Sequence, residues 1–496
     1  MLNRIWISLL LVVAVQASLA QSKMKSPNVI VILADDLGWM DLSCYGSRFY
    51  ETPNLDALAA MGVKFTNNYS SSPVCSPSRA SILTGKNPIH TGVTDWITGR
   101  QENGARVKPF EKLIAPPTAY ELALQEHTLA EHALNNGYQT FFAGKWHLGE
   151  EEKFWPLSQG FQTNIGGWSK GAPTGKKNDS TGGFFSPYAN PTLTDGPQGE
   201  YLTDRLANEC IRFIKAQSDT PFFMMYALYA VHNPLQAPAA LIEKYKQKQQ
   251  QLGYTDKDRF VKNENWMMHQ ADWKLRLLQD HAVYAAMIEN MDWNIGRIIQ
   301  SLKEKGLLDN TIIVFTSDNG GLSTAEGSPT SNAPLRAGKG WLYEGGIRVP
   351  LLMYWKGQLQ QGLVSNMPVI SSDIFTTLSA VMQKGFKKPS ALEGENLLPL
   401  LKSPAAIKER TLYWYYPHYS NQGGRPAAAI RQGHYKLILN FDNNSTELYD
   451  LSIDFSEKNN LANQQIAKRD ALKTLLEKWL QKNNAGSFTP NPGYQQ

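Results

Sequence analysis

The sequence is poor in cysteine, with three thiols, Cys44, Cys75 and Cys210, in 496 residues. That is too few for a disulfide framework, so the fold must rest on a core, which a chain of this length can bury. It is also poor in excess charge. The 49 Lys and Arg stand against 44 Asp and Glu, for a net charge of +5, and no dense basic run interleaves with aromatics. Nucleic acid is therefore not an expected partner. After the N-terminus no apolar run is long enough to span a membrane. The nine histidines form no ligand cluster of the spacing that zinc sites use. There is no internal repeat.

The N-terminus carries a targeting pattern. Arg4 supplies a short basic region, Ile5 to Val15 is mostly apolar, and Ser18-Leu19-Ala20 is a small-x-small cleavage sequence. Residues 1–20 are expected to be a signal peptide cleaved after Ala20, the alternative being an uncleaved anchor. The mature chain is then exported, periplasmic or extracellular. An odd cysteine count in an oxidising compartment marks one thiol as special. If that thiol is Cys75, Cys44 and Cys210 either pair or stay free.

Strand and helix patterns alternate along most of the chain. Asn28 to Leu33 is a continuous apolar run, as expected of a strand buried on both faces of a parallel sheet. Tyr138 to Ala143, Phe222 to Leu228, Thr311 to Phe315 and Pro350 to Trp355 read as further strands. Pro53 to Met61, with Thr52 as cap, Glu126 to Asn136, ended by Gly137, and Leu278 to Lys305 read as helices. Gly160 to Gly199 reads as long loops with aromatics interspersed. After about Leu400 short strands follow at Thr411 to Tyr416, Ala427 to Arg431 and Tyr435 to Asn440, then an amphipathic helix from about Ala462 to Gln481.

Four of the strands end in polar, chemically capable residues. Asp35 and Asp36 follow the first, Lys145 and His147 the second, His232 the third, and Asp318 and Asn319 the fourth. Ligands of open α/β sheets bind outside the carboxyl ends of the strands, so these residues are expected to converge. Asp and Asn also end strands merely as turn formers, but four such ends together favour a site. Asp35, Asp36, Asp318 and Asn319 offer hard oxygens without imidazole or thiolate, a donor set for calcium or a similar cation.

Cys75 begins Cys75-Ser76-Pro77-Ser78-Arg79, ahead of an apolar run of helical character. Ser76, Pro77 and Ser78 suit a first helical turn, so Cys75 is expected at a helix N-terminus with Arg79 one turn later. Spacing alone leaves two readings open, a buried structural thiol or a functional group in an anion-attracting pocket.

The Cys-x-Pro-x-Arg pentapeptide resembles the signature of the type I sulfatases, within the alkaline phosphatase-like superfamily. Gly144-Lys145-Trp146-His147-Leu148-Gly149 and Gly338 to Arg348, which contains Lys339, resemble two further motifs of that family in the expected order. The similarity runs from about Pro27 to Ala462. It implies a large, mostly parallel sheet flanked by helices, in a catalytic domain over residues 21–400. A smaller domain, an antiparallel sheet with a helix, is implied over 401–496. It also implies a sulfuric ester hydrolase in which a maturase oxidises Cys75 to formylglycine, whose hydrate is the nucleophile. The Asp35-Asp36 and Asp318-Asn319 pairs would hold calcium with residue 75 beside it. Arg79 and His147 would steady the formylglycine, and Lys145 and Lys339 would grip the sulfate oxygens. His232 would protonate the leaving alcohol, and Asp318 would assist proton removal from the nucleophile. Lys86 stands where relatives often show Arg.

The expected substrate is a sulfated carbohydrate from a polysaccharide, with galactose and N-acetylgalactosamine sulfates favoured by overall resemblance to polysaccharide-degrading bacterial sulfatases. Trp96, Trp168, Arg100 and Lys170 are the aromatic and basic loop residues suited to sugar faces and acidic groups. The rival readings are a phosphonate or phosphate ester hydrolase of the same superfamily and a non-catalytic glycan-binding relative. Asn68, Asn178, Asn443 and Asn444 have glycosylation-acceptor spacing, relevant only in a eukaryotic secretory host.

Overall fold

The computed structural model describes residues 25–98, 107–175, 182–262, 274–402 and 410–495. The expected signal peptide, Arg100 and Asn178 lie outside the described residues. Eight strands form the main sheet: β1 (Asn28–Ala34), β2 (Val63–Phe65), β3 (Gln139–Gly144), β4 (Thr163–Ile165), β5 (Phe222–Ala227), β6 (Thr311–Ser317), β7 (Leu351–Tyr354) and β8 (Leu363–Ser365). Their order is β8-β2-β7-β6-β1-β5-β3-β4. The run from β6 to β4 is parallel, and β7 is antiparallel to both neighbours.

Alternation in β1 explains the two-sided core. Ile30, Ile32 and Ala34 feed one hydrophobic layer, and Val29, Val31 and Leu33 feed the other. Side chains alternate across a strand, so a strand covered on both faces must be apolar throughout. The first layer is closed by α1 (Pro53–Met61), α4 (Leu202–Ala216), α5 (Ala239–Leu252) and α6 (Ala282–Glu304). The second is closed by α2 (Cys75–Thr84), α3 (Leu129–Asn135) and α7 (Ser372–Met382). Each large aliphatic side chain so buried contributes about 1.5–3 kcal/mol.

The structure corrects several local expectations. The Thr52 side chain does not cap α1. The Asp292 carboxylate, reaching across from α6, accepts instead from the Asn54 and Leu55 N–H groups at 3.1 and 2.8 Å. The helix expected from Glu126 begins at Leu129, because Thr128 and Glu131 form a reciprocal capping box there. The Gly160–Gly199 segment is not loop throughout, since β4 pairs in parallel with β3. Cys44 and Cys210 are both free thiols. Asn68 is 1% exposed and its amide donates to Thr316 and to the Val349 carbonyl, so it is closed to a glycan in the folded protein, whereas Asn443 and Asn444 are exposed.

The C-terminal part is an antiparallel meander, β9 (Thr411–Tyr416), β10 (Ala427–Gln432), β11 (Tyr435–Asn440) and β12 (Ser445–Asp450), followed by α8 (Ile466–Lys482). One face, with Ala428, Ile430 and Leu437, packs on Leu472, Leu476 and Leu480 of α8. The other, with Trp414, Ala429 and Tyr449, packs on Tyr69, Val74, Trp341 and Ile347. That second face supports the segment carrying Lys339. Behind it the buried Lys436 Nζ lies 3.0 Å from Glu344 and 2.8 Å from Glu457. A buried ammonium held between two carboxylates fixes the geometry of the segment, since losing Lys436 would leave both carboxylates buried without it.

Candidate active site

The residues at the strand ends converge because β3, β5, β1 and β6 are consecutive and parallel. Backbone bonds extend the ladder past each strand. The Asp35 N–H donates to the Ala230 carbonyl (3.0 Å), the Lys145 N–H to Ala227 (2.7 Å) and the Asp318 N–H to Ala34 (3.2 Å). Gly144 has φ +111°, and a Cβ there would lie 1.8 Å from the Ala227 oxygen, so glycine is required immediately before Lys145. Asp36 (φ 60°), His147 (φ 60°), Glu326 (φ 52°) and Ala337 (φ 56°) all hold left-handed backbone without being glycine. Such residues persist where surrounding structure enforces them; His147 and Glu326 line one cavity, and Asp36 pairs with Lys339 of the same cavity.

Cys75 is the first residue of α2, with Val74 in the extended cap position. Every residue of α2 is buried, so its hydroxyls are all committed. Ser78 donates to the Ser72 carbonyl at 2.9 Å, Ser81 bonds Ser71 at 2.7 Å and Ser76 donates to the His147 carbonyl at 2.9 Å. One turn after Cys75, Arg79 donates from Nε to Asp318 Oδ2 and from Nη1 to the Lys145 carbonyl, each at 2.8 Å. The helix start expected at this sequence is present, and Arg79 sits on the same side as Cys75.

Three carboxylates meet three cations. Arg79 pairs with Asp318 at 2.8 Å, Lys145 with Asp35 at 2.7 Å and Lys339 with Asp36 at 2.7 Å. The Asn319 amide donates to Asp36 Oδ1 at 2.8 Å, and His232 Nε2 lies 3.6 Å from Asp36 Oδ2. Cys75 Sγ belongs to two clusters of donor atoms within 4.8 Å of one another, with Asp36 and His232 and with Asp35 and Asp318. Thus Asp35, Asp36, Cys75, Arg79, Lys145, His232, Asp318, Asn319 and Lys339 occupy one site. His147 joins them in the wall of the cavity.

Burial pushes the Asp35 carboxyl well above its ordinary range; Lys145 opposes this, and Asp318 and Asp36 add to it. Burial also resists charge on Asp36, but Lys339, His232 and Lys145 outweigh it and hold that carboxyl low. Burial pushes the Cys75 thiol up to about 12 against the pull of Lys145 and Lys339. An unmodified Cys75 is therefore a protonated thiol, a poor nucleophile. Burial, with Lys339 adding to it and Asp36 opposing, holds His232 down at about 3. His147 is also held well below its ordinary value, by burial and then by Lys145 and Arg79. Its Nε2 bonds the Ile97 carbonyl and so carries the proton, leaving Nδ1 as an acceptor.

The donor set fits a hard cation. Asp35 Oδ1 and Asn319 Oδ1 are buried oxygens with no hydrogen-bond partner. Buried acceptors are rarely left so, and unpaired oxygens beside three crowded carboxylates are what calcium coordination uses.

Above these groups opens a cavity of about 550 Å³. Cys75, His147, His232 and Lys339 line it, and Trp96, Glu150, Lys170, Glu326 and Gln422 form its outer wall. Gly171 lies so close that a Cβ would come within 2.3 Å of the His147 ring. Trp96 and Lys170 stand where loop residues suited to a sugar were expected. Trp168 instead contributes a carbonyl that accepts from the His147 N–H at 3.2 Å. Glu150, Glu326 and Gln422 carried no signal in the sequence, since isolated polar loop residues have no periodicity and no motif.

Comparison with known proteins gives the same assignment along nearly the whole chain. The Sulfatase family profile matches residues 27–384. A second, N-sulphoglucosamine sulphohydrolase, C-terminal, matches residues 337–485. A sulfatase of Formosa agariphila is 30% identical over 93% of this chain and 90% of its own. The N-acetylgalactosamine-6-sulfatase of Homo sapiens is 32% identical over 88% of this chain and 76% of its own. The solved structure of Ps i-CgsB in complex with k-i-k-neocarrahexaose superposes with a TM-score of 0.71 at 26% identity, covering 92% of this chain and 93% of that one.

Proposed function

We propose, from the premise that this chain belongs to the sulfatase family, that it is an exported, calcium-dependent enzyme hydrolysing sulfate esters of carbohydrates. One observation carries the reading. Cys75 opens a buried helix at the floor of a cavity, among three carboxylates and three cations.

Formylglycine at position 75 would supply, as its hydrate, an oxygen nucleophile for sulfur and a second hydroxyl whose deprotonation expels sulfate. Calcium held by Asp35, Asp36, Asp318 and Asn319, next to residue 75, would polarise the sulfuryl oxygens. The chain's own groups do the rest. Lys145 and Lys339 bring two preorganised ammoniums to the sulfate oxygens, in a water-poor site where such charges act most strongly. Arg79 and His147 orient residue 75 from α2 and from the β3 end. Asp318 keeps Oδ2 on Arg79, and its carboxylate assists proton removal from the nucleophile.

His232 is the general acid. Its Nδ1 donates to the Asn233 carbonyl at 2.8 Å, which directs Nε2 to the cavity. Burial, with the Lys339 and Lys145 ammoniums adding to it, keeps this imidazole neutral in the free protein. A bound sulfate ester adds negative charge beside the ring and offsets the ammoniums, so His232 takes up a proton from solvent as the substrate binds and passes it to the leaving oxygen.

Cys75 is 2% exposed, so a formylglycine-generating maturase must reach it before α2 docks. The substrate reading, a galactose or N-acetylgalactosamine sulfate, is supported by the names of the relatives and by Trp96 and Lys170 in the cavity wall. No helix among the described residues is long and apolar enough to cross a membrane, which is consistent with export through the N-terminal segment.

Mass analysis of the peptide containing residue 75, beside assays on sulfate esters and phenyl phosphonate, tests the reading. The expected result is the aldehyde mass together with sulfate release that exceeds phosphonate hydrolysis. An intact thiol in fully active enzyme would overturn the mechanism. A phosphonate preference would move the chain to the rival branch, and ligand binding without turnover would make it a glycan-binding relative.

A further inference from the structure

The outer wall of the cavity holds a carboxylate that the hydrolytic chemistry does not use. Glu326 lines the same cavity as Cys75, His232 and Lys339. Its backbone carbonyl accepts from Asn233 Nδ2 at 3.3 Å, which ties it to the residue following His232. Glu326 therefore stands on the side where the leaving alcohol, and the sugar ring bearing it, must lie.

The position is built. Gln422 Nε2 donates to Glu326 Oε1 at 2.6 Å. Gln422 is 4% exposed, and its carbonyl accepts from Thr324 Oγ1 at 2.8 Å and from Trp341 Nε1 at 2.9 Å. Ser420 donates to its Oε1 at 2.6 Å. The amide is thereby oriented with its N–H group towards Glu326. The backbone of Glu326 is left-handed (φ 52°), as are Gly327 (φ 88°) and Ser328 (φ 42°). A non-glycine residue in this conformation costs on the order of 1 kcal/mol or more, and it is kept where the side chain has a use.

The charge of this wall is informative. Glu150 is offset by Lys170 at 3.4 Å. Glu326 Oε1 accepts from the Gln422 amide, and its Oε2 makes no hydrogen bond among the described residues. A carboxylate at this position disfavours a second sulfate or carboxylate placed directly beside it.

We propose that Glu326 sets the selectivity of the site, accepting a hydrogen bond from a hydroxyl beside the reacting sulfate and excluding rings that carry a second anionic group at that position. This rests on the sugar-sulfatase reading above and narrows it to singly sulfated residues.

The matured enzyme, its Cys75 conversion and melting temperature measured for every variant, is assayed on N-acetylgalactosamine 6-sulfate, N-acetylgalactosamine 4,6-disulfate and an aryl sulfate. The wild type should favour the monosulfate by tenfold or more in kcat/KM, on the order of one uncompensated like-charge juxtaposition. Glu326→Gln keeps the acceptor for Gln422 and should shrink that ratio about tenfold. Glu326→Lys should favour the disulfate. A ratio unchanged in both variants, with both sugars turned over, overturns the role of Glu326 alone. Aryl sulfate hydrolysis without turnover of either sugar defeats the sugar-sulfatase reading and this proposal with it.

Discussion

Arg79 and Asp318 form a fully buried pair, with Nε and Nη2 of Arg79 each 2.8 Å from the same oxygen, Asp318 Oδ2. Asp318 Oδ1 is left to accept the Asp36 N–H at 3.2 Å. Burial resists the charge on Arg79, but Asp318 and Asp35 outweigh it and push its pKa up, so it stays cationic. Arg79→Ala leaves Asp318 as an unpaired buried charge and should cost about 3–5 kcal/mol. Arg79→Lys should not restore activity, because a single ammonium cannot serve Asp318 and the Lys145 carbonyl in this fork geometry. Denaturant unfolding and sulfate release on both variants check this. A fully active Arg79→Lys enzyme would contradict it.

The parts of this arrangement differ in how far the sequence shows them. The strands were legible because β1, β5 and β6 are buried on both faces and read as unbroken apolar runs. Their polar ends announced the site, and the motifs around Cys75, Lys145 and Lys339 named its chemistry. The pairing within it was not legible. Nothing local tells that Lys145 takes Asp35 while Lys339 takes Asp36, since each pair joins residues more than a hundred positions apart. The α1 cap was missed for the same reason, because Asp292 is remote from Thr52 in sequence. Glu326 and its partner Gln422 come from separate loops, and the strain at Glu326 is a backbone property that no residue pattern encodes.

The calcium assignment predicts a stability effect that can be read without turnover. Asp35 Oδ1 and Asn319 Oδ1 are buried without a hydrogen-bond partner. An ion that satisfies them binds the folded state only, and at a hundredfold excess over Kd it adds about 2.7 kcal/mol. Calcium should therefore raise the melting temperature of chelator-treated protein, and Asp36→Ala should abolish the rise together with activity. An identical melting temperature with and without calcium, in a fully active protein, would remove the ion from the site.

Lys145 and Lys339 are each expected to matter through charge. Replacing either by Ala should lower turnover by roughly a hundredfold or more, the scale of losing one preorganised stabiliser. Steady-state kinetics should show the loss in kcat as well as kcat/KM. A change confined to KM would assign the lysine to ground-state binding only.

His232→Ala should slow the ester of a poor alkoxide leaving group far more than that of nitrophenolate, which departs with little protonation. The comparison is internal to one variant, so a general loss of folded enzyme cancels. Equal losses on the two substrates would take His232 out of the acid role.

His281 predicts an acid-sensitive step in stability, away from the catalytic groups. It caps α6 by accepting the Tyr284 N–H on Nδ1 at 3.3 Å, which only a neutral imidazole can do. Burial holds its pKa down at about 4, with Arg276 adding to the effect and Asp280 opposing it. The positive end of the helix dipole disfavours an imidazolium in the same place. Because the folded value lies below the unfolded value of about 6.5, the stabilisation is complete above that pH. It is lost as pH falls from about 6.5 through 4, by up to about 3 kcal/mol. His281→Asn keeps a capping acceptor that does not titrate in this range. Denaturant unfolding across pH 4 to 7 should show a smaller acid loss in His281→Asn than in the wild type. Parallel pH profiles for the two proteins would show that His281 does not set this step.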